Sequence, residues 1–348
     1  MKVSKRSLNL GEHDVHEITL ENGNGISVSF LTYGGIITRV MVPDNEGCFE
    51  NIVLAYEDYK DYLKNPGHLG SIIGRTAGRI RNAQFTLDGR KYTLAKNYGE
   101  NSGHGGNRGF DKHVFTCDIL ESESAVEAKL FRISPHLEEG YPGDLHVTVK
   151  YSLSEENIFK IEYHGTSSEN TLFNMTNHSY FNLSGSFRES IKYHELFIDA
   201  DHFAEIDETK APTGVLTSVH DTPFDFRFMR EIGEEMNTEN EQLKIANGYD
   251  HAFLLKKNPG TKIRLAHRHT GRVMEIETDN QAVVVYTQNY AQGQIIQDGS
   301  VLEPYRSIAL EVQKLPIGVN EVFKEFSLLP AERTQVTTTT FRFFVEQQ

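Results

Sequence analysis

The sequence predicts an all-β protein: one large antiparallel β-sandwich with a few short helices, running as a single domain over residues 1–348. Three observations carry this expectation. Apolar residues recur at every second position in run after run, the period of a half-buried strand. Successive runs are joined by short turn sequences of the kind hairpins use. Helical signals are few: a short stretch at 57–65 and one convincing interval within 229–246, itself polar and loop-like in places.

In chain order, Ile26, Val28 and Phe30 alternate with Ser27 and Ser29. Gly34-Gly35 interrupts that strand, and 36–42 resumes it before Pro43-Asp44-Asn45 turns the chain. Residues 57–65 read as a short helix stopped by Pro66-Gly67. Residues 85–94 read as a hairpin about Asp88-Gly89, and 110–120 as a strand. Two more hairpins follow, 145–153 with 158–163 around Ser154–Asn157, and 262–265 with 273–278 around His269-Thr270-Gly271. The run 283–287 is apolar enough for a central strand, and 307–312 and 334–344 complete the set. No fixed-spacing repeat, low-complexity tract or linker divides the chain.

Composition narrows the function classes. Of 348 residues, 38% are hydrophobic and 24% charged, the mix of a globular protein rather than a disordered one. A formal net charge of −14 with no basic tract repels a nucleic-acid backbone. Residues 1–20 lack the apolar core of an export signal, and no apolar run reaches bilayer length, so no membrane partner is expected and the cytoplasm is the expected compartment. Cys48 and Cys117 stand alone and read as reduced packing residues.

The stretch Asn174-Met175-Thr176-Asn177-His178-Ser179-Tyr180-Phe181-Asn182-Leu183 sets a histidine among amides, hydroxyls and two rings. Amides and hydroxyls recognise hydroxyls, rings stack on the apolar faces of sugars, and histidine moves protons near neutral pH. A lone histidine in a strand is more often a satisfied core residue. Its companions tip the balance. Gly103-His104-Gly105-Gly106 fixes a second histidine among glycines, which let a backbone approach a ligand. The glycines are not a phosphate loop, because a strand-like run rather than a helix follows them. Arg75, Arg79 and Arg81 lie close together, and a guanidinium donates fixed hydrogen bonds to hydroxyls. If 79 and 81 alternate on a strand they point together. Asp250 and Glu311 each sit in an apolar neighbourhood, where a carboxylate is costly unless paired or used. Among 15 histidines, the 13/16 and 267/269 pairs are only loosely spaced like ligands, so no metal site is expected.

Together these stretches resemble the aldose 1-epimerase (galactose mutarotase) family over nearly the whole chain. The resemblance is carried by Gly74-Arg75 with Arg79-Ile80, His104-Gly105-Gly106 with Gly109-Phe110-Asp111-Lys112, and Thr176-Asn177-His178 with 180–183. Pro212-Thr213-Gly214, 222–226, Tyr249-Asp250-His251, Tyr286-Thr287 with Asn289, and Leu310-Glu311 with Gln313 and Pro316 complete it. It implies a β-supersandwich that interconverts the α and β anomers of aldohexoses such as galactose or glucose. It also implies Glu311 as general base, His178 as general acid, and His104, Arg75 and Asp250 as sugar-binding residues; the amide of Asn177, a group that reads hydroxyls, joins the expected substrate-binding set. Gly78, where many relatives have asparagine, and Ile317, where an aspartate is usual, depart from the pattern and bear on substrate preference.

The chemistry fits these residues. Anomer exchange takes the proton from O1 while protonating O5, so a carboxylate and a protonated imidazole flanking C1 suffice, with no metal or redox cofactor. On this view Glu311 gives the acid limb of the pH profile and His178 the alkaline limb. Competing expectations are a hexose-phosphate epimerase, a non-catalytic carbohydrate-binding sandwich, and a glycoside hydrolase, which would need two carboxylates. The expected partner is a small sugar, acting on a monomer or homodimer.

Overall fold

A computed structural model describes residues 1–347 apart from 123–124, 237–238 and 292. Three antiparallel sheets organise it. The first runs in sequence order through Lys2–Leu10, His13–Glu21, Ser27–Leu31, Ile37–Pro43 and Phe49–Asn51. The second has nine strands, with Thr334–Val345 between Ile158–Ser167 and Arg272–Thr278 at its centre. The third has six, ordered Tyr180–Phe181, Ile308–Gln313, Ala282–Tyr286, Asp250–Leu255, Ala200–Ile206 and Pro212–Ser218.

One apolar core joins all three sheets. Val28 and Phe30 enter it from the first, Val149, Ile161 and Phe341 from the second, and Phe253, Val283, Val285 and Leu310 from the third. Strand periodicity then decides where the third sheet's polar residues go. With Leu310 and Val312 committed to the core, Glu311 faces the opposite side, as do Ala252 and Val284 on the neighbouring strands. Burial on one face therefore fixes the register that presents the other.

Most predicted strands are present, including the 85–94 hairpin, whose Asp88 and Gly89 both take positive φ at 51° and 72°. Three helical or strand expectations shift. Residues 57–65 give a 3₁₀ turn, Tyr59–Leu63, capped by the Asp58 side chain. In 110–120, Phe110–Lys112 is also a 3₁₀ turn and the strand begins only at Thr116. In the 229–246 interval the α-helix is confined to Glu241–Ala246, started by the Asn240 side chain and ended by Asn247 at φ 59°. Before it lies the short strand Arg230–Glu231; residues 237–238 of the interval lie outside the described residues. Gly233 and the acidic pair after it give no continuous apolar face to extend the helix. Among the described residues, no helix is long and apolar enough to cross a membrane.

Candidate active site

The outward face of the six-stranded sheet floors a cleft of about 370 Å³. His68, Arg79, Tyr98, His104, His178, Lys210, Asp250, Tyr286 and Glu311 line it with a set of apolar side chains. Glu311 projects from the sheet interior, between a short strand on one side and Ala282–Tyr286 on the other. His178 sits between the two-residue strands Thr176–Asn177 and Tyr180–Phe181. Its backbone N–H donates to Ser71 O (2.9 Å) and its carbonyl accepts from Gly70 N (3.0 Å), which pins the imidazole over the floor.

His178 Nε2 lies 3.4 Å from Glu311 Oε1. Both side chains are almost wholly buried, yet Glu311 Oε2, His178 Nδ1 and His104 Nδ1 have no hydrogen-bond partner among the described residues. Buried polar atoms are usually paired, so three orphans facing one cleft mark a place prepared for a ligand. Burial pushes the Glu311 carboxyl up to about 8, the charge of Asp250 adds to the rise, and Arg79 opposes it. Burial pushes the His178 imidazole down to about 3. Burial also drives His104 well below the usual histidine range, and the Arg79 charge adds to the fall.

His104 reaches the cleft because its loop folds tightly. At Gly105, φ is 87° and a Cβ would stand 1.8 Å from Gly74 O, so no other residue fits there. Asp250 lies on the strand next to Tyr286 and is met by Arg79 Nη2 at 3.4 Å. The His104, His178 and Glu311 donor atoms lie within 4.8 Å of one another, so the atoms proposed to handle a sugar could also hold a borderline cation.

Two expected sugar ligands are not in the cleft. Arg75 is buried in a cage where its guanidinium donates to Ser134 Oγ and to the carbonyls of Ser134, Pro135, Pro142 and Gly143. With its donors consumed there, it ties the 134–143 segment to the loop between the short strands Ile72–Ile73 and Arg79–Ile80. The cleft guanidinium is Arg79. Asn177 points to the opposite face from His178, donating to Gly70 O and accepting from Ser179, so it braces the loop behind the histidine. Nor do Arg79 and Arg81 act together: the strand ends at Ile80, and Arg81 turns to Asp207 and Asn101. His68 and Tyr98, which line the cleft, were missed by the sequence reading. A histidine between glycines in Pro66-Gly67-His68-Leu69-Gly70 repeats the pattern that drew notice to His104.

A sheet-floored cleft with a buried carboxyl facing an imidazole, rimmed by arginine, aspartate and tyrosine, defines an acid–base enzyme of polyhydroxylated substrates. Comparison with known proteins makes the class specific. A family model described as aldose 1-epimerase matches residues 16–340. The galactose mutarotase of Sus scrofa is 38% identical over 317 residues, 90% of each chain. The aldose 1-epimerase of Haemophilus influenzae is 35% identical over 86% of each. The crystal structure of a galactose 1-epimerase from Lactobacillus acidophilus superposes with a TM-score of 0.89 at 29% identity, covering 99% of both chains. The chain belongs to the aldose 1-epimerase family and is an isomerase of that kind.

Proposed function

We propose that this enzyme interconverts the α and β anomers of neutral aldohexoses such as galactose and glucose, with Glu311 as general base and His178 as general acid. The observation that carries the reading is the 3.4 Å approach of His178 Nε2 to Glu311 Oε1 at the bottom of the cleft, with both groups otherwise unpaired. Glu311 takes the proton of the O1 hydroxyl while His178 gives one to the ring oxygen O5, and the C1–O5 bond breaks. The aldehyde turns about C1–C2, O5 adds to its other face, and both protons return. Each such transfer contributes about 10²–10⁴ in rate.

Burial favours the neutral carboxyl and the neutral imidazole, which is how the pair stands once the ring is open. The ion-pair arrangement that acts on the closed sugar therefore forms at a cost, and that cost is recovered as the ring opens. Burial also reverses the expected pH assignment. The single shared proton is lost as pH rises through about 8, which places the alkaline limb on Glu311 and the acid limb on His178.

His104, Asp250 and Arg79 supply donors and acceptors for the remaining hydroxyls. A sugar phosphate is disfavoured because Arg75 and Arg81 are engaged elsewhere and the cleft guanidinium Arg79 already meets Asp250. The core shared by all three sheets supports a single domain over 1–348, and two free cysteines fit a reducing compartment such as the cytoplasm. Polarimetry of freshly dissolved α-D-galactose tests the reading. Accelerated relaxation is expected, with kcat/KM for galactose or glucose at least about tenfold above that for glucose 6-phosphate. Relaxation at the spontaneous rate, or a preference for the phosphate, would overturn it, and cleavage of a disaccharide would point to hydrolysis.

A further inference from the structure

We propose that Tyr98 is a sugar-binding residue of this cleft, its hydroxyl accepting a hydrogen bond from a substrate hydroxyl, and that Asp111 fixes that polarity from behind through His68. The inference rests on the sugar-isomerase reading above and names the residues that orient its substrate.

The chain of contacts is continuous. Asp111, buried in the loop after the glycine-rich segment, accepts from His68 Nδ1 at 3.1 Å. His68 Nε2 lies 3.0 Å from the Tyr98 hydroxyl, and both His68 and Tyr98 line the cleft. The arrangement is built on both sides. His68 sits at φ 53° in a loop whose buried Asn65 accepts from Leu69 N (2.8 Å) and donates to Ser71 Oγ (3.0 Å). The Tyr98 ring lies where a Cβ on Gly103 would come within 2.5 Å of it, so glycine at 103 makes room for the tyrosine. Lys112 Nζ, 3.3 Å from Asp111, helps to keep that carboxylate ionised.

Hydrogen-bond inventory sets the direction. An ionised carboxylate only accepts, so when the His68 ring carries one proton Asp111 holds it on Nδ1 and leaves Nε2 as an acceptor. The Tyr98 O–H, whose ionisation burial suppresses, therefore donates to His68. What the phenol then offers the cleft is lone pairs. His68 and Asp111 touch no substrate in this scheme and are positioning residues. The Tyr98 ring has a separate task, since the Arg79 guanidinium lies over it at 5.5 Å. Tyr98→Phe keeps that platform and removes only the hydroxyl.

The test combines polarimetric kcat and KM with calorimetric Kd for galactose, on the parent, Tyr98→Phe, Asp111→Asn and the double variant, each checked by thermal unfolding. Expected are a rise of about tenfold in KM and Kd for Tyr98→Phe with kcat within threefold, and a smaller rise of the same kind for Asp111→Asn. In the Tyr98→Phe background, Asp111→Asn should change Kd by less than twofold, because the two act through one chain. A folded Tyr98→Phe whose Kd stays within twofold of the parent would overturn the proposal. So would an Asp111→Asn effect that persists in full without the hydroxyl. If Asp111→Asn does not fold, His68→Gln takes its place in the cycle under the same criteria. A parent that binds galactose without speeding its mutarotation would defeat the isomerase reading alone, because Kd still tests Tyr98.

Discussion

The cage around Arg75 and the floor of the cleft are equally buried, at 2% exposure for Arg75, 3% for Glu311 and 4% for His178, yet they are opposite kinds of site. In the cage, the guanidinium makes six hydrogen bonds, four of them to backbone carbonyls. On the floor, a carboxylate oxygen and a ring nitrogen have no partner. Burial alone does not distinguish the two: the cage satisfies its polar groups, whereas the floor gathers three orphans at one cleft. Isolated orphans such as His194 Nδ1 and Ser307 Oγ lie away from the cleft lining, so it is the convergence of unpaired groups that marks the floor.

That contrast can be broken experimentally, and the largest effect belongs to the floor. His178→Asn keeps approximate shape and should lower kcat at least about 100-fold with little change in unfolding temperature; activity within tenfold of the parent in a folded variant would remove it as the acid. The cage should respond the other way. Arg75→Met strands several buried carbonyls and should destabilise by at least about 3 kcal/mol in urea titrations, with kcat per folded molecule unchanged. A stable, inactive Arg75→Met would return Arg75 to the cleft. Arg79→Met should instead raise KM by about tenfold at near-parental stability, the loss of one charged hydrogen bond.

Smaller effects sharpen the electrostatics. Because the Glu311 carboxyl is raised to about 8, kcat/KM should hold across neutral pH and fall as pH rises through that value. Asp250 contributes to the rise, so Asp250→Asn should move this limb to lower pH. A limb that stays put or moves upward contradicts the assignment. Chelation should change nothing. If a chelator abolishes activity and one ion restores it, the His104, His178 and Glu311 donors serve a metal.

The sequence showed the floor more clearly than the walls. Glu311 was legible because apolar neighbours on either side commit the strand to the core and leave the carboxylate on the other face. His104 was legible through its glycines. Arg75 and Arg79 were not separable, since each follows a glycine at short spacing and the acceptors that claim Arg75 lie some sixty residues away in 134–143. Asn177 could have been excluded by alternation, because adjacent residues on a strand face opposite sides and His178 faces the cleft. His68 gives no periodic signal; its partners Tyr98 and Asp111 are 30 and 43 residues distant, and only tertiary structure joins them. The 229–246 interval yielded a single helical turn and a half because its spacing lacked a continuous apolar face.

The central claim is that Glu311 carries the proton of O1. Polarimetry of α-D-galactose with Glu311→Gln tests it most directly, because the amide fills the same volume but cannot act as a base. The account predicts a fall in kcat of at least about 100-fold, with an unfolding temperature close to the parent's. A folded Glu311→Gln enzyme that keeps its rate within tenfold would contradict it.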